Sequence, residues 1–108
     1  MPSAPNTQSA VYILANQRNG ALYVGITDNL QKKIWQHKNE LVPGFSQRYR
    51  TFNLVHYELV SDNEAAIGRQ KELKEQKHAS KIKLIEENNP EWQDLYASLF
   101  LPVKGQQV

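Results

Sequence analysis

Cysteine is absent from this chain of 108 residues. Its absence excludes a disulfide framework and any cysteine-based metal site, and it fits a reducing compartment, so a cytoplasmic location is the expectation. Long apolar runs are absent too. The longest, Ala10 to Ala15, falls far short of the ~18 residues a membrane span needs, and no membrane partner is expected. Met1 to Ser9 holds neither a positive side chain nor an apolar run, so no signal peptide is read there. Internal repeats and low-complexity tracts are missing as well. Charge of one sign is scarce, the formal balance being +2.

That balance is uneven along the chain. Asp28 to Lys83 carries eleven Lys/Arg against seven Asp/Glu, whereas from Leu84 onward Lys104 stands against Glu86, Glu87, Glu91 and Asp94. A basic middle suits a surface that meets an anion; ordinary solvated helix faces would look the same. The length allows one domain with a modest core. The expected layout is a flexible leader over 1–9, a domain over 10–98 and a loose tail over 99–108.

Two apolar runs, Ala10 to Ala15 and Ala21 to Thr27, flank Asn16-Gln17-Arg18-Asn19-Gly20. The Asn19-Gly20 pair supplies the positive backbone angles of a hairpin turn, so the runs are predicted to pair antiparallel. Asp28 is the expected cap of a helix running to about Glu40, with Leu30, Ile34, His37 and Leu41 on one face. Val42 to Ser46 reads as a loop and Phe52 to Leu59 as a third strand. Helices are expected over about Glu64 to Lys77, with Ala66, Gln70, Leu73 and Lys77 in one stripe, and over Lys81 to Glu87. A last helix starting at Pro90 should bury Trp92, Leu95 and Tyr96. The order ββαβααα describes an α+β domain: a small three-stranded antiparallel sheet flanked by helices.

Ten residues separate Tyr12 from Tyr23. With an even-numbered loop, that parity puts both phenols on one sheet face, because opposed residues share a face and side chains alternate with period two. Tyrosine is also a good strand former, and paired tyrosines in a hairpin need no functional explanation.

The wider string is more specific. Val11-Tyr12-Ile13-Leu14, Leu22-Tyr23-Val24-Gly25-Ile26-Thr27-Asp28-Asn29-Leu30 and Ile34-Trp35-Gln36-His37-Lys38 together resemble the GIY-YIG nuclease family. The likeness is to its small single-domain bacterial branch, related to the excinuclease N-terminal domain. It continues through Gly44-Phe45, Leu54 to Leu59, Ala65-Ala66-Ile67-Gly68-Arg69 and Asn89-Pro90-Glu91-Trp92, and so spans about Ala10 to Leu95. The first motif reads Ala-Val-Tyr where the family name has Gly-Ile-Tyr, which keeps the phenol.

This resemblance implies phosphodiester cleavage by an activated water. It gives phenol roles to Tyr12 and Tyr23, a phosphate contact to a first-helix arginine, and one divalent metal, Mg or Mn, to a glutamate. The arginine position, four before His37, is Lys33, which keeps the charge but loses the planar two-donor fork. The glutamate position is Gln70, an amide with no negative charge for a hard cation. Cleavage is therefore expected to be weakened or lost. Thr27 and Asn89 are further positions near such a site, although helix capping accounts for each. Arg48 and Arg50 around Tyr49, together with Lys38 and Arg69, are candidate contacts to a nucleic-acid backbone.

Three readings stay open: a metal-dependent endonuclease, a nucleic-acid-binding module without cleavage, and a protein-interaction module on the same scaffold. The resemblance implies nucleic acid as partner, DNA ahead of RNA. A protein partner and the oligomeric state are left undetermined.

Overall fold

The least polar segment of the chain becomes the middle of the sheet. In the computed structural model, which describes residues 8–100, strand β1 (Ala10–Ala15) is buried at every position. It pairs antiparallel with β2 (Leu22–Thr27) on one side and β3 (Asn53–Leu59) on the other, giving the order β2-β1-β3. The connection from β1 to β2 spans residues 16–21, an even number. It is closed by the Asn16 side chain accepting the Ala21 N–H at 3.0 Å, with Asn19 at φ 60°. The register sets Tyr12 opposite Gly25 and Leu14 opposite Tyr23. Both phenols therefore lie on the same face, diagonal to each other.

Each face of the sheet has its own helical cover. α3 (Asn63–Glu75) and α4 (His78–Asn88) close over Val11, Ile13 and Ala15, with Ala66, Leu73, Ile85 and Trp92 in that core. α1 (Leu30–Lys38) closes over Ala10, Tyr12 and Leu14 through Leu30 and Ile34, joined by Leu95, Tyr96 and Leu99. The result is the expected α+β architecture, a three-stranded antiparallel sheet between helices. No helix among the described residues is long and apolar enough to cross a membrane.

Several boundaries differ from the sequence expectation, each for a physical reason. The cap of α1 is Asn29, one residue later than expected, because its side chain accepts the Lys32 N–H at 3.1 Å while the Thr27 hydroxyl accepts the Asn29 N–H. The helix stops at Lys38, Glu40 adopts φ 59°, and Leu41 leaves the helical face 59% exposed. α3 ends at Glu75, and Lys77 becomes the residue before α4 instead of part of the stripe. A short helix α2 (Phe45–Tyr49) begins inside the stretch Val42 to Ser46 read as loop and is closed by Arg50 in the left-handed region.

The largest difference is at the C-terminal side. Residues 90–96 form no helix; a 3-10 helix follows at Ala97–Phe100. Asn89 accepts the Gln93 N–H and donates to the Val55 and Gln93 carbonyls, and Asp94 accepts the Leu54 and Tyr96 N–H groups. Those side-chain bonds, together with Trp92 at φ 56°, hold the segment in turns against β3. Trp92, Leu95 and Tyr96 are still packed inward. Residues 1–7 and 101–108, most of the expected leader and tail, lie outside the described residues. Gln8 and Ser9 are tied to Val60, and the Leu99 carbonyl accepts the Gln31 amide.

Candidate active site

On the α1 face of the sheet the hairpin and α1 bring three side chains together. The Tyr12 ring lies 6.2 Å from the Tyr23 ring and 5.6 Å from His37, and the Tyr23 ring is 5.3 Å from His37. Tyr12 fits because its opposite number has no side chain. A Cβ on Gly25 would sit 2.4 Å from the Tyr12 phenol oxygen and the ring carbon that bears it.

The Tyr12 hydroxyl and His37 Nε2 are 2.9 Å apart, and His37 Nδ1 is 2.9 Å from the Ser46 hydroxyl. Ser46 donates to the Thr51 carbonyl at 3.2 Å, so its oxygen is left to accept from Nδ1–H. Nε2 then carries the lone pair and accepts the Tyr12 O–H. The order of donation is Tyr12 to His37 to Ser46 to the Thr51 backbone, and it runs through groups no more than 1% exposed.

Electrostatics agree with a neutral imidazole. Burial, then the Lys33 ammonium, pull His37 down from 6.5 to about 4. Burial, then the neighbouring Tyr23 phenol, push the Tyr12 phenol far above its ordinary 10.0. Passing the Tyr12 proton to His37 runs against both shifts, since the phenol holds its proton more tightly than usual and the imidazole takes one up less readily. Lys33 is half-buried one turn before His37 and lines a hollow with Thr27, Asp28, Asn29, Lys32 and Gln36. Tyr23 is half-buried and stacks at 6.3 Å on exposed Phe45, which lies 4.5 Å from Tyr49.

The other candidate residues fall into two groups. Gln70 is on α3, across the edge of the sheet, and its amide donates to the Val24 carbonyl at 3.2 Å. Lys38 binds Asp94 and the Phe52 carbonyl, Arg69 grips both carboxylate oxygens of Glu58, and Glu58 also meets His56. Thr27 and Asn89 are spent on backbone groups, the Thr27 hydroxyl on Asn29 and the Asn89 side chain on Val55 and Gln93. Arg48 and Arg50 lie over Tyr49 and Phe52 and make no salt bridge among the described residues. Ser46 and Thr51 escaped the sequence reading, and Gly25 and Phe45 appear in it as motif residues without a site role. Gly25 alone left a signal, since the hairpin register sets it against Tyr12.

A divalent cation does not fit at Gln70. Its N–H₂ is committed to Val24, the remaining oxygen is neutral, and no group of three or more His, Asp or Glu converges among the described residues. Hard cations favour anionic oxygen. The adjoining groove instead presents Lys74 and Lys81.

A three-stranded sheet carrying a buried tyrosine–histidine pair, on a chain most of which matches a nuclease-family model, makes this a nuclease-type domain. A family model described as the GIY-YIG catalytic domain matches residues 8–83. The chain belongs to the GIY-YIG family. It is similar to a UPF0213 protein of Syntrophus aciditrophicus, 29% identical over 76% of this chain and 94% of the relative. A UPF0213 protein of Staphylococcus saprophyticus is 30% identical over 65% of this chain and 85% of the relative. No solved structure matches the chain.

Proposed function

We propose that this GIY-YIG domain binds the phosphodiester backbone of nucleic acid, DNA first, at the Tyr23–Lys33 rim, with hydrolysis weak or absent. The observation that carries it is the buried chain from Tyr12 through His37 to Ser46, which holds a donor network beside a half-exposed phenol and a half-buried ammonium. In this reading Lys33 neutralises a phosphate oxygen as a point charge. Tyr23 orients the phosphate or its attacking water, and Tyr12 and His37 fix the position of Tyr23. Two features support attenuated cleavage. The Tyr12 proton is held far from release, and Gln70 offers an amide where the family resemblance expects a metal-binding carboxylate. No step is drawn through a metal.

Plasmid nicking by the parent and by a Lys33→Arg/Gln70→Glu variant, side by side with Mg²⁺ or Mn²⁺, tests this. The parent should retain plasmid at low salt and nick it slowly or not at all. The double variant should gain nicking, and adding Tyr23→Phe should remove it. Rapid nicking by the parent would overturn the attenuation. Failure of the parent to bind would leave a protein-interaction module on this scaffold as the surviving reading.

A further inference from the structure

Edge strand β2 borders a groove of about 260 Å³ lined by Leu22, Tyr23, Val24, Phe45, Lys74 and Lys81. That volume is just below the range of whole small-molecule sites, enough for one compact unit of a larger ligand. Its walls differ in chemistry. One is aromatic: Phe45 is 45% exposed and lies nearly parallel to Tyr23, with 23° between the rings. The other is cationic. Lys74 is exposed, one helical turn beyond Gln70 on α3. Lys81 donates to the Leu73 and Gln76 carbonyls at the end of α3, which leaves the third of its N–H groups free. No carboxylate lines the groove.

An aromatic wall facing two ammoniums is complementary to a flat π-system joined to an anion. We propose that this groove is a nucleotide subsite for an unpaired strand, with a base on Phe45 and Tyr23 and its phosphate on Lys74 and Lys81. A base within a duplex keeps its faces covered by its neighbours and cannot occupy the aromatic wall. The proposal rests on the nucleic-acid reading above and extends it, since Lys74 stands one turn from Gln70 and Lys81 is tied to the end of the same helix. They supply positive charge at this edge of the sheet without a metal.

Fluorescence anisotropy with a short labelled oligothymidylate, and with a duplex of equal length, tests it at low salt in EDTA. The parent should bind the single strand more tightly than the duplex. Phe45→Ala should weaken single-strand binding at least about fivefold, the lower end of a lost base stack, with Phe45→Tyr restoring it. Lys74→Gln should lower the salt slope by about 0.7, whereas Lys83→Gln, on exposed α4 surface, should not. Phe45, Lys74 and Lys83 are exposed, and melting curves confirm that each variant folds. If Phe45→Ala and Lys74→Gln leave affinity unchanged while Lys33→Gln lowers it, the subsite falls and the backbone-binding reading stands. Equal losses on duplex and single strand would overturn the stacked base. No binding by the parent overturns both.

Discussion

Tyr12 and Gly25 are a single unit, although twelve residues lie between them in sequence. The phenol occupies the space that a Cβ on residue 25 would need, at 2.4 Å, and the backbone of β2 cannot yield without breaking its pairing with β1. Gly25→Ala should therefore cost about 1–3 kcal/mol, as other overpacking changes do, measured by urea unfolding. In a Tyr12→Ala background the cost should shrink, because the clash is with that ring; an unchanged cost would place the strain elsewhere. His37 makes a second residue-scale prediction. Folded His37 titrates near 4 and its unfolded counterpart near 6.5, so between those values the unfolded chain binds the extra proton. Stability is fully present above pH 6.5 and falls as acid is added toward pH 4. From pH 7 to pH 5 the parent should lose about 2 kcal/mol by this route. His37→Gln should remove that part of the pH dependence while lowering stability at pH 7.

At the scale of elements, what was legible depended on how local the deciding bonds are. The hairpin could be read because its turn residues act within a few positions of one another, although Asn19 alone takes a positive φ and the turn closes from Gly20 back to Gln17. The shared face of the two tyrosines was legible only as a condition, because five residues separate the two apolar runs and it is the start of β2 at Leu22 that makes the loop even. The stretch after Asn89 could not be read. Its outcome is decided by Asn89 reaching Val55 and by Asp94 reaching Leu54, partners that lie 34 and 40 residues away. A local pattern of Pro, Trp, Leu and Tyr at helical spacing carries no trace of those bonds. The helix α2 was hidden for the same reason. It is a five-residue piece held by a Ser46–Thr51 clasp and by the contact of Ser46 with His37. Asp94→Ala tests the account. It leaves the buried-side Leu54 N–H without its partner and frees Lys38, so stability should drop by about 1–3 kcal/mol. Hydrogen exchange should rise across residues 93–100 ahead of the sheet. Uniform exchange with no local rise would show that packing of Leu95 and Tyr96, not Asp94, holds the segment.

Across the whole molecule the arithmetic excess of basic residues says less than where those residues are spent. Lys38 is bound to Asp94 and Arg69 to Glu58 and Glu72, so two of the candidate contacts are structural ties on opposite faces of the sheet. Glu58 reflects this, since Arg69 holds its carboxyl below the usual range. Lys33 on α1, and Arg48 and Arg50 around α2, form no salt bridge among the described residues. Lys33 stands one turn before His37, and Arg48 and Arg50 lie in and just after the helix that carries Ser46. A count from sequence weighs all five alike; only the fold separates the committed charges from the uncommitted ones. The separation predicts opposite behaviour for two substitutions that change the net charge equally. Lys33→Gln should lower the salt slope of DNA binding by about one and leave the melting temperature nearly unchanged, because it removes one phosphate contact. Arg69→Gln should lower the melting temperature, because it leaves a part-buried carboxylate beside His56 without its guanidinium, yet leave the salt slope as it was. Binding titrations at several salt concentrations, set beside melting curves of the same preparations, measure both. A slope that fell for Arg69→Gln and held for Lys33→Gln would move the nucleic-acid surface from the α1 face of the sheet to the face beneath α3.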